Sequence, residues 1–136
     1  MKILHTLIAA FFIIVAPLLA LAQNAATSSE VPHLSGGVGK EGMAEIAAVE
    51  KEYNLKALFV RGPAGEYLAL VSVKITDSKG NVALETMTDG PVLLAKLEPG
   101  KYTVSATTQS DNKTLTKNIK ISSKLTSLSF RFPAAE

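Results

Sequence analysis

The chain has 136 residues, with 14 Lys and Arg against 12 Asp and Glu, and it contains no cysteine and no tryptophan. That length suits one domain able to bury a core without covalent staples, and a net charge of +2 gives no electrostatic footprint for nucleic acid. The missing cysteines exclude disulfides, thiolate metal sites and a cysteine nucleophile, and two histidines leave little room for His-based catalysis or a His-cluster metal site.

Residues 1–22 read as an export signal. Lys2 supplies the positive charge, and residues 7–21 form an apolar run interrupted only by Pro17. Ala20 and Ala22 give the small-x-small pattern that signal peptidase recognises, so cleavage after Ala22 would leave Gln23 as the new N-terminus. The run is shorter than the ~20 residues that span a bilayer. The expectation is a periplasmic or secreted protein with no stable membrane insertion after cleavage.

Residues 23–39 are polar and Gly-containing, and they read as a flexible lead-in with little apolar surface to offset ordering entropy. Residues 40–53 then carry Met43, Ile46, Ala47 and Tyr53 at helical spacing, with Val49 flanking. Asn54 suits a left-handed cap, closing an amphipathic helix over 40–54. This stripe is expected to pack on the domain that follows, closing a sheet edge or end; the competing reading is a free docking element for a partner.

From residue 55 the texture changes to short runs of alternating polarity. Candidate strands cover 55–61, 67–76, 82–87, 92–97, 102–107, 114–122 and 127–132. Between them stand turn signals, with Asp77 and Gly80 at the first and fourth positions of a type I turn and Pro99-Gly100 at the centre of a type II turn. Seven runs with a turn about every ten residues predict a mainly β, seven-stranded antiparallel sandwich over 55–133.

The segments 71–82, Thr88-Asp89-Gly90 and 97–104, the last reading Leu-Glu-Pro-Gly-Lys-Tyr-Thr-Val, resemble carboxypeptidase-regulatory-like domains. These belong to the prealbumin-like (transthyretin-like) sandwich group, and families of small exported bacterial proteins look similar over most of the mature chain. The resemblance implies a non-catalytic module that binds another protein or an envelope component, with no cofactor. One enzymatic branch hydrolyses 5-hydroxyisourate using several His and Arg residues and a Tyr-Arg-Gly-Ser tail. Here the tail reads Ser129-Phe130-Arg131-Phe132-Pro133 and His33 lies outside the sandwich segment, so that activity is not carried over.

Several constellations invite chemistry. Gly36-Gly37-Val38-Gly39-Lys40-Glu41 has the outline of a phosphate loop, but that motif needs Gly where Leu34 stands, Ser or Thr where Glu41 stands, and a preceding strand. His33 has only Glu30 as a near acid and reads as an exposed linker residue rather than a metal ligand. Asp77, Asp89 and Asp111 sit where turns favour Asp, so local turn bonding accounts for them better than calcium does. Glu66, Glu85 and Glu98 with the aspartates are the candidates for a carboxylate-based hydrolase, the remotest alternative. Lys56 and Asn118 are the candidates for an isopeptide cross-link. Finally, Thr103, Ser105 and Thr107 should lie beside Thr114, Thr116 and Asn118 across a hairpin, forming a hydroxyl-rich face suited to water, glycan or protein. A small-ligand or carbohydrate-binding module is the second functional expectation, favoured by an aromatic-floored cleft at Tyr67 or Tyr102.

Overall fold

The structure, a computed structural model, describes residues 31–134; the expected export signal, with Ala20 and Ala22, lies outside the described residues. Strand β1 (His33–Gly36) leads into helix α1 (Gly39–Val49), and a 3-10 turn follows over Glu50–Glu52. The remaining strands are β2 (Leu55–Arg61), β3 (Glu66–Tyr67), β4 (Val71–Asp77), β5 (Val82–Met87), β6 (Val92–Ala95), β7 (Gly100–Thr108), β8 (Thr114–Ile121) and β9 (Thr126–Phe132). The protein is mainly β, with two sheets facing each other. In the first, β1, β6, β2 and β3 follow in order and β9 lies on the other side of β2; in the second the order is β5-β4-β7-β8.

Alternation along each strand explains the core. Leu55, Ala57 and Phe59 of β2, Leu93 and Ala95 of β6, and Phe130 and Phe132 of β9 meet Val71, Val73 and Ile75 of β4 and Val104 and Ala106 of β7 in one buried cluster. Phe59 and Phe130 stack with ring centroids 5.5 Å apart. The opposite faces of β6 and β2 are apolar as well: Val92 and Leu94 are buried with Ile46 of α1, and Met43, Val49, Tyr53 and Leu58 pack around them. Strand β6 is therefore buried on both sides, as its uninterrupted Val-Leu-Leu-Ala run requires. The molecule has three layers: helix, first sheet, second sheet.

The structure corrects four expectations. The lead-in is not flexible as far as residue 39, because His33–Gly36 pairs antiparallel with β6 from His33↔Ala95 to Gly36↔Val92. The sandwich is not wholly antiparallel: β9 runs parallel to β2 along the full length of β2. The 67–76 run is two strands, β3 and β4, and with β1 this brings the described strands to nine. The helix covers a sheet face rather than an edge or end, and Ala47 is exposed while Ile46 is buried. Successive helical residues turn by about 100°, which swings Ala47 off the flank of a face centred on Ile46.

Asn54 has a different role from the expected left-handed cap. Among the described residues the non-glycine residues with positive φ are Leu70 and Asn112, and Asn54 is not one of them. Buried Asn54 instead behaves as a second stretch of backbone: its Oδ1 accepts from the Leu97 N–H at 2.8 Å and its Nδ2 donates to the Leu97 carbonyl at 2.6 Å. Its own N–H donates to Ala95 O and its carbonyl accepts from Thr126 N. One residue thus joins the ends of β6, β2 and β9 through its backbone and side chain together, with its own amide groups paired. Gly100, at φ 157°, does not take the φ of about +80° that a type II turn asks for, and it begins β7. The link expected of that turn is made instead by the Tyr102 hydroxyl, which donates to the Glu98 carbonyl at 2.7 Å.

Candidate functional site

With α1 over the first sheet, the second sheet keeps an outer face that no described residue covers. The β7–β8 register places Lys101 opposite Lys120, Thr103 opposite Asn118, Ser105 opposite Thr116 and Thr107 opposite Thr114, all on that face. The Thr103 hydroxyl donates to Asn118 Oδ1 at 2.9 Å, the Ser105 and Thr116 hydroxyls lie 3.2 Å apart, and those of Thr107 and Thr114 lie 2.7 Å apart. The adjoining strand β4 adds Ser72, Lys74 and Thr76 opposite Thr107, Ser105 and Thr103. The result is a flat polar sheet surface with rows of paired hydroxyls. Two shallow grooves cross it. One of about 480 Å³ lies at the Lys101–Lys120 end, and one of about 310 Å³ lies between Ser72, Lys74, Glu85, Ser105 and Thr107.

A third hollow, of about 760 Å³, lies where the helix layer meets the sandwich end, near Pro32, Tyr53, Lys96 and Pro99. Lys51 and Lys96 are offset there by Glu52 and Glu98, and the Asn54 carboxamide is already used by Leu97. Exposed apolar side chains lie elsewhere, with Leu34 and Val38 near the helix entry and Val82 and Leu125 standing singly. Tyr67, Leu70 and Met87 are exposed, and the Leu70 N–H donates to the Thr88 carbonyl, next in sequence to Met87. Leu70 has φ 56°, a left-handed conformation that a leucine rarely adopts.

The candidate residues separate clearly. His33 is half-buried in β1 with Nδ1 2.8 Å from the Val31 carbonyl, not a free linker residue. The Gly36–Glu41 segment does stand between a strand and a helix, but its glycines serve close packing rather than a lead of free chain. Gly37 has φ 95° and touches Gly42, and the Gly36 backbone lies against Gly90. The mismatches at Leu34 and Glu41 stand. Among the described residues no three His, Asp or Glu side chains form a cluster able to hold a metal ion. Glu66, Glu85 and Glu98 belong to β3, β5 and the β6–β7 connection, and among the described residues they line three separate grooves. Lys56 and Asn118 lie in different sheets; Lys56 Nζ is paired with Glu50 Oε2 at 2.7 Å while Asn118 takes the Thr103 hydroxyl. Of the two tyrosines expected to floor a cleft, Tyr67 is exposed on β3, while Tyr102, its ring largely buried, lines the groove of about 480 Å³ beside Ile119. Burial, followed by the charges of Glu98 and Asp77, pushes the Tyr102 hydroxyl pKa up. Among the described residues no helix is long and apolar enough to cross a membrane.

The aspartates do turn work, and one does more. Asp77 accepts from the Lys79 and Asn81 amides at 2.9 Å each, and the Asn81 amide leads in holding its carboxyl below the usual range. Asp89 exchanges hydrogen bonds with the Ser35 hydroxyl, tying β1 to the β5–β6 connection. Asp111 takes both guanidinium nitrogens of Arg61 at 3.1 Å and accepts from the Thr108 hydroxyl, joining the β7–β8 turn to the end of β2 in the other sheet. The Arg61 bond, then the Thr108 bond, lowers the Asp111 carboxyl from 3.8 to about 2. A depressed folded-state value means that this pairing stabilises the fold above the unfolded value and is lost as pH falls from about 4 through about 2. Asp111→Asn should therefore lower the melting temperature at pH 7, and the two melting curves should converge near pH 2. A difference that persists unchanged in acid would contradict the pairing.

Sequence reasoning found the hydroxyl pairs, because polar alternation on both sides of a short hairpin fixes their register. It missed the Lys101–Lys120 pair, which the same register would have given, and the Arg61–Asp111 link, which joins distant turns. No protein-family model matches the chain, and no curated protein matches it in sequence.

Proposed function

We propose that the chain is a non-catalytic binding module of the prealbumin-like kind. Its working surface is the outer face of the second sheet, and its occupant is an envelope component of polysaccharide class. The observation that carries this reading is the asymmetry of the sandwich: a helix covers the β6 and β2 part of one outer face, while the other is left open and carries three cross-strand pairs of hydroxyl and carboxamide groups. A flat row of such groups offers donors and acceptors to a polyhydroxylated chain lying along β7 and β8. The separation of Glu66, Glu85 and Glu98 supports the non-catalytic part, and the export signal expected at residues 1–22 supports the envelope.

The test is co-sedimentation of the mature chain, residues 23–136, with purified envelope polysaccharide, using the triple variant Ser105→Ala, Thr107→Val, Thr116→Val. Each removed hydrogen bond is worth ~1 kcal/mol, so affinity should drop at least about tenfold. Valine suits strands, so melting should hardly change. Undiminished binding would refute the reading. A second reading, a protein partner at the sandwich edge, is favoured by exposed Leu70, whose left-handed backbone is a kind of strain that collects at functional sites. Leu70→Asp abolishing binding while the triple variant binds normally would move the working surface to that edge.

A further inference from the structure

The open face is not uniformly neutral. At one end β7 and β8 set Lys101 directly opposite Lys120, in the same register that pairs the hydroxyls. Like charges directly opposed across strands destabilise a sheet, and an ordinary surface would place an acid at one of the two positions. Neither lysine has an acidic partner within ion-pair distance among the described residues. The groove of about 480 Å³ opens here, and Ser78, Thr103 and Asn118 also line it. Because the Thr103 hydroxyl donates to Asn118 Oδ1, the Asn118 Nδ2 keeps its hydrogens for another acceptor. Two lysines, the Ser78 hydroxyl and a carboxamide N–H thus line one hollow beside Tyr102 and Ile119, and each of the four polar groups can donate.

No acid forms an ion pair with either lysine among the described residues. The Asp77 carboxylate keeps its charge and is held within its own turn by the Lys79 and Asn81 amides and the Asn81 side chain. Glu98 is at the other end of the buried Tyr102 ring, whose hydroxyl is bonded to the Glu98 carbonyl. Lys74, farther along the face, stands opposite Glu85 and is balanced by it. The two lysines without an ion-pair partner therefore sit at one end of the hydroxyl rows.

We propose that Lys101 and Lys120 form an anion subsite for the acidic group of a polysaccharide, a carboxylate-bearing sugar chain that continues along the Thr103–Asn118, Ser105–Thr116 and Thr107–Thr114 pairs. The rows extend ~20 Å from the lysines, at ~3.4 Å per residue, which accommodates several sugar rings in line. This rests on the reading of the second sheet as the binding face and names the chemistry of its ligand. Lysine rather than arginine at both positions suits a flexible, hydrated chain, since point charges tolerate varied approach where a guanidinium fork does not.

The test measures affinity of the mature chain for polygalacturonate and for neutral dextran at low salt, by isothermal titration. The wild type should bind polygalacturonate at least about tenfold more tightly, as two charge-assisted hydrogen bonds imply, and added salt should erode the difference. Lys101→Gln with Lys120→Gln should abolish the preference by weakening polygalacturonate binding at least about tenfold. Lys40→Gln with Lys51→Gln removes the same charge from the helix side and should preserve it. Equal weakening by both double variants would overturn the subsite in favour of diffuse attraction. Equal wild-type binding to both polymers, lost in the Ser105/Thr107/Thr116 variant, would overturn the subsite and leave the binding face standing. Binding to neither polymer would overturn both, as would capture of an acidic protein at the lysine pair in their place.

Discussion

Ile46→Asp should abolish cooperative folding or lower the melting temperature by at least ~15 °C. Ile46 is 3% exposed and meets Val92 and Leu94 on the outer face of the first sheet. Removing a buried aliphatic side chain forfeits ~2–3 kcal/mol. A carboxylate left in its place, with no partner, adds a desolvation cost of at least ~2 kcal/mol. For a domain of this size each kcal/mol moves the melting temperature by roughly 4–8 °C, and total stability is only about 5–15 kcal/mol. Ala47→Asp, one residue further along the same helix, is the internal control. Ala47 is exposed, and surface substitutions stay within about 0.5 kcal/mol. If α1 were a free docking element, both variants would melt like the wild type, and only binding would suffer. Thermal melts of the two variants side by side decide between these outcomes.

Gly90→Ala should be nearly as damaging, for the opposite reason. Gly90 is buried in the β5–β6 connection, and a Cβ there would lie 2.3 Å from the Gly36 carbonyl oxygen and 2.5 Å from its carbon. Both atoms are backbone, held by the β1–β6 ladder and by the Ser35–Asp89 bonds, so no side chain can swing aside. Overpacking typically costs ~1–3 kcal/mol, and a clash with fixed backbone belongs at the upper end. The structure would relieve it by releasing β1, so amide hydrogen exchange at Leu34 and Ser35 should accelerate by orders of magnitude while β4 and β7 stay protected. Unchanged protection at β1 would show that the two backbones do not meet there. Gly80, with nothing within 4 Å of an added Cβ, offers a contrasting case in which only its left-handed φ of 88° resists substitution.

These two sites show which parts of the fold can be read from the sequence and why. Strands β4, β7, β8 and β9 were legible because their residues alternate, one face apolar and the other polar. The turn at Asp77–Gly80 was legible because Asp and Gly act locally. Helix α1 was legible from Met43 and Ile46, though Ala47 satisfied the spacing without being buried. Strand β1 was not, since His-Leu-Ser-Gly carries almost no strand signal of its own. It forms because β6 presents an open edge and because glycines at 42 and 90 let the backbones of Gly37 and Gly36 approach closely. The parallel β2–β9 pairing was hidden for a similar reason, because it joins the two ends of the sandwich and no local pattern encodes the direction of a distant partner. Asn54 looked like a cap by residue type, and only the position of Leu97 turns its carboxamide into a bridge. On the candidate face the hydroxyl pairs were legible from alternation and a short turn. Its openness was not, because that depends on which sheet α1 covers.

Amide chemical-shift mapping tests the central claim most directly. Isotope-labelled residues 23–136 would be titrated with envelope polysaccharide, and every perturbed amide located on the fold. Shifts confined to β4, β7 and β8, largest at Thr103, Ser105, Thr116 and Asn118 and absent from α1 and β1, are the predicted result. Shifts gathered instead at α1, or around Tyr67, Leu70 and Met87 with the β7–β8 face silent, would contradict it.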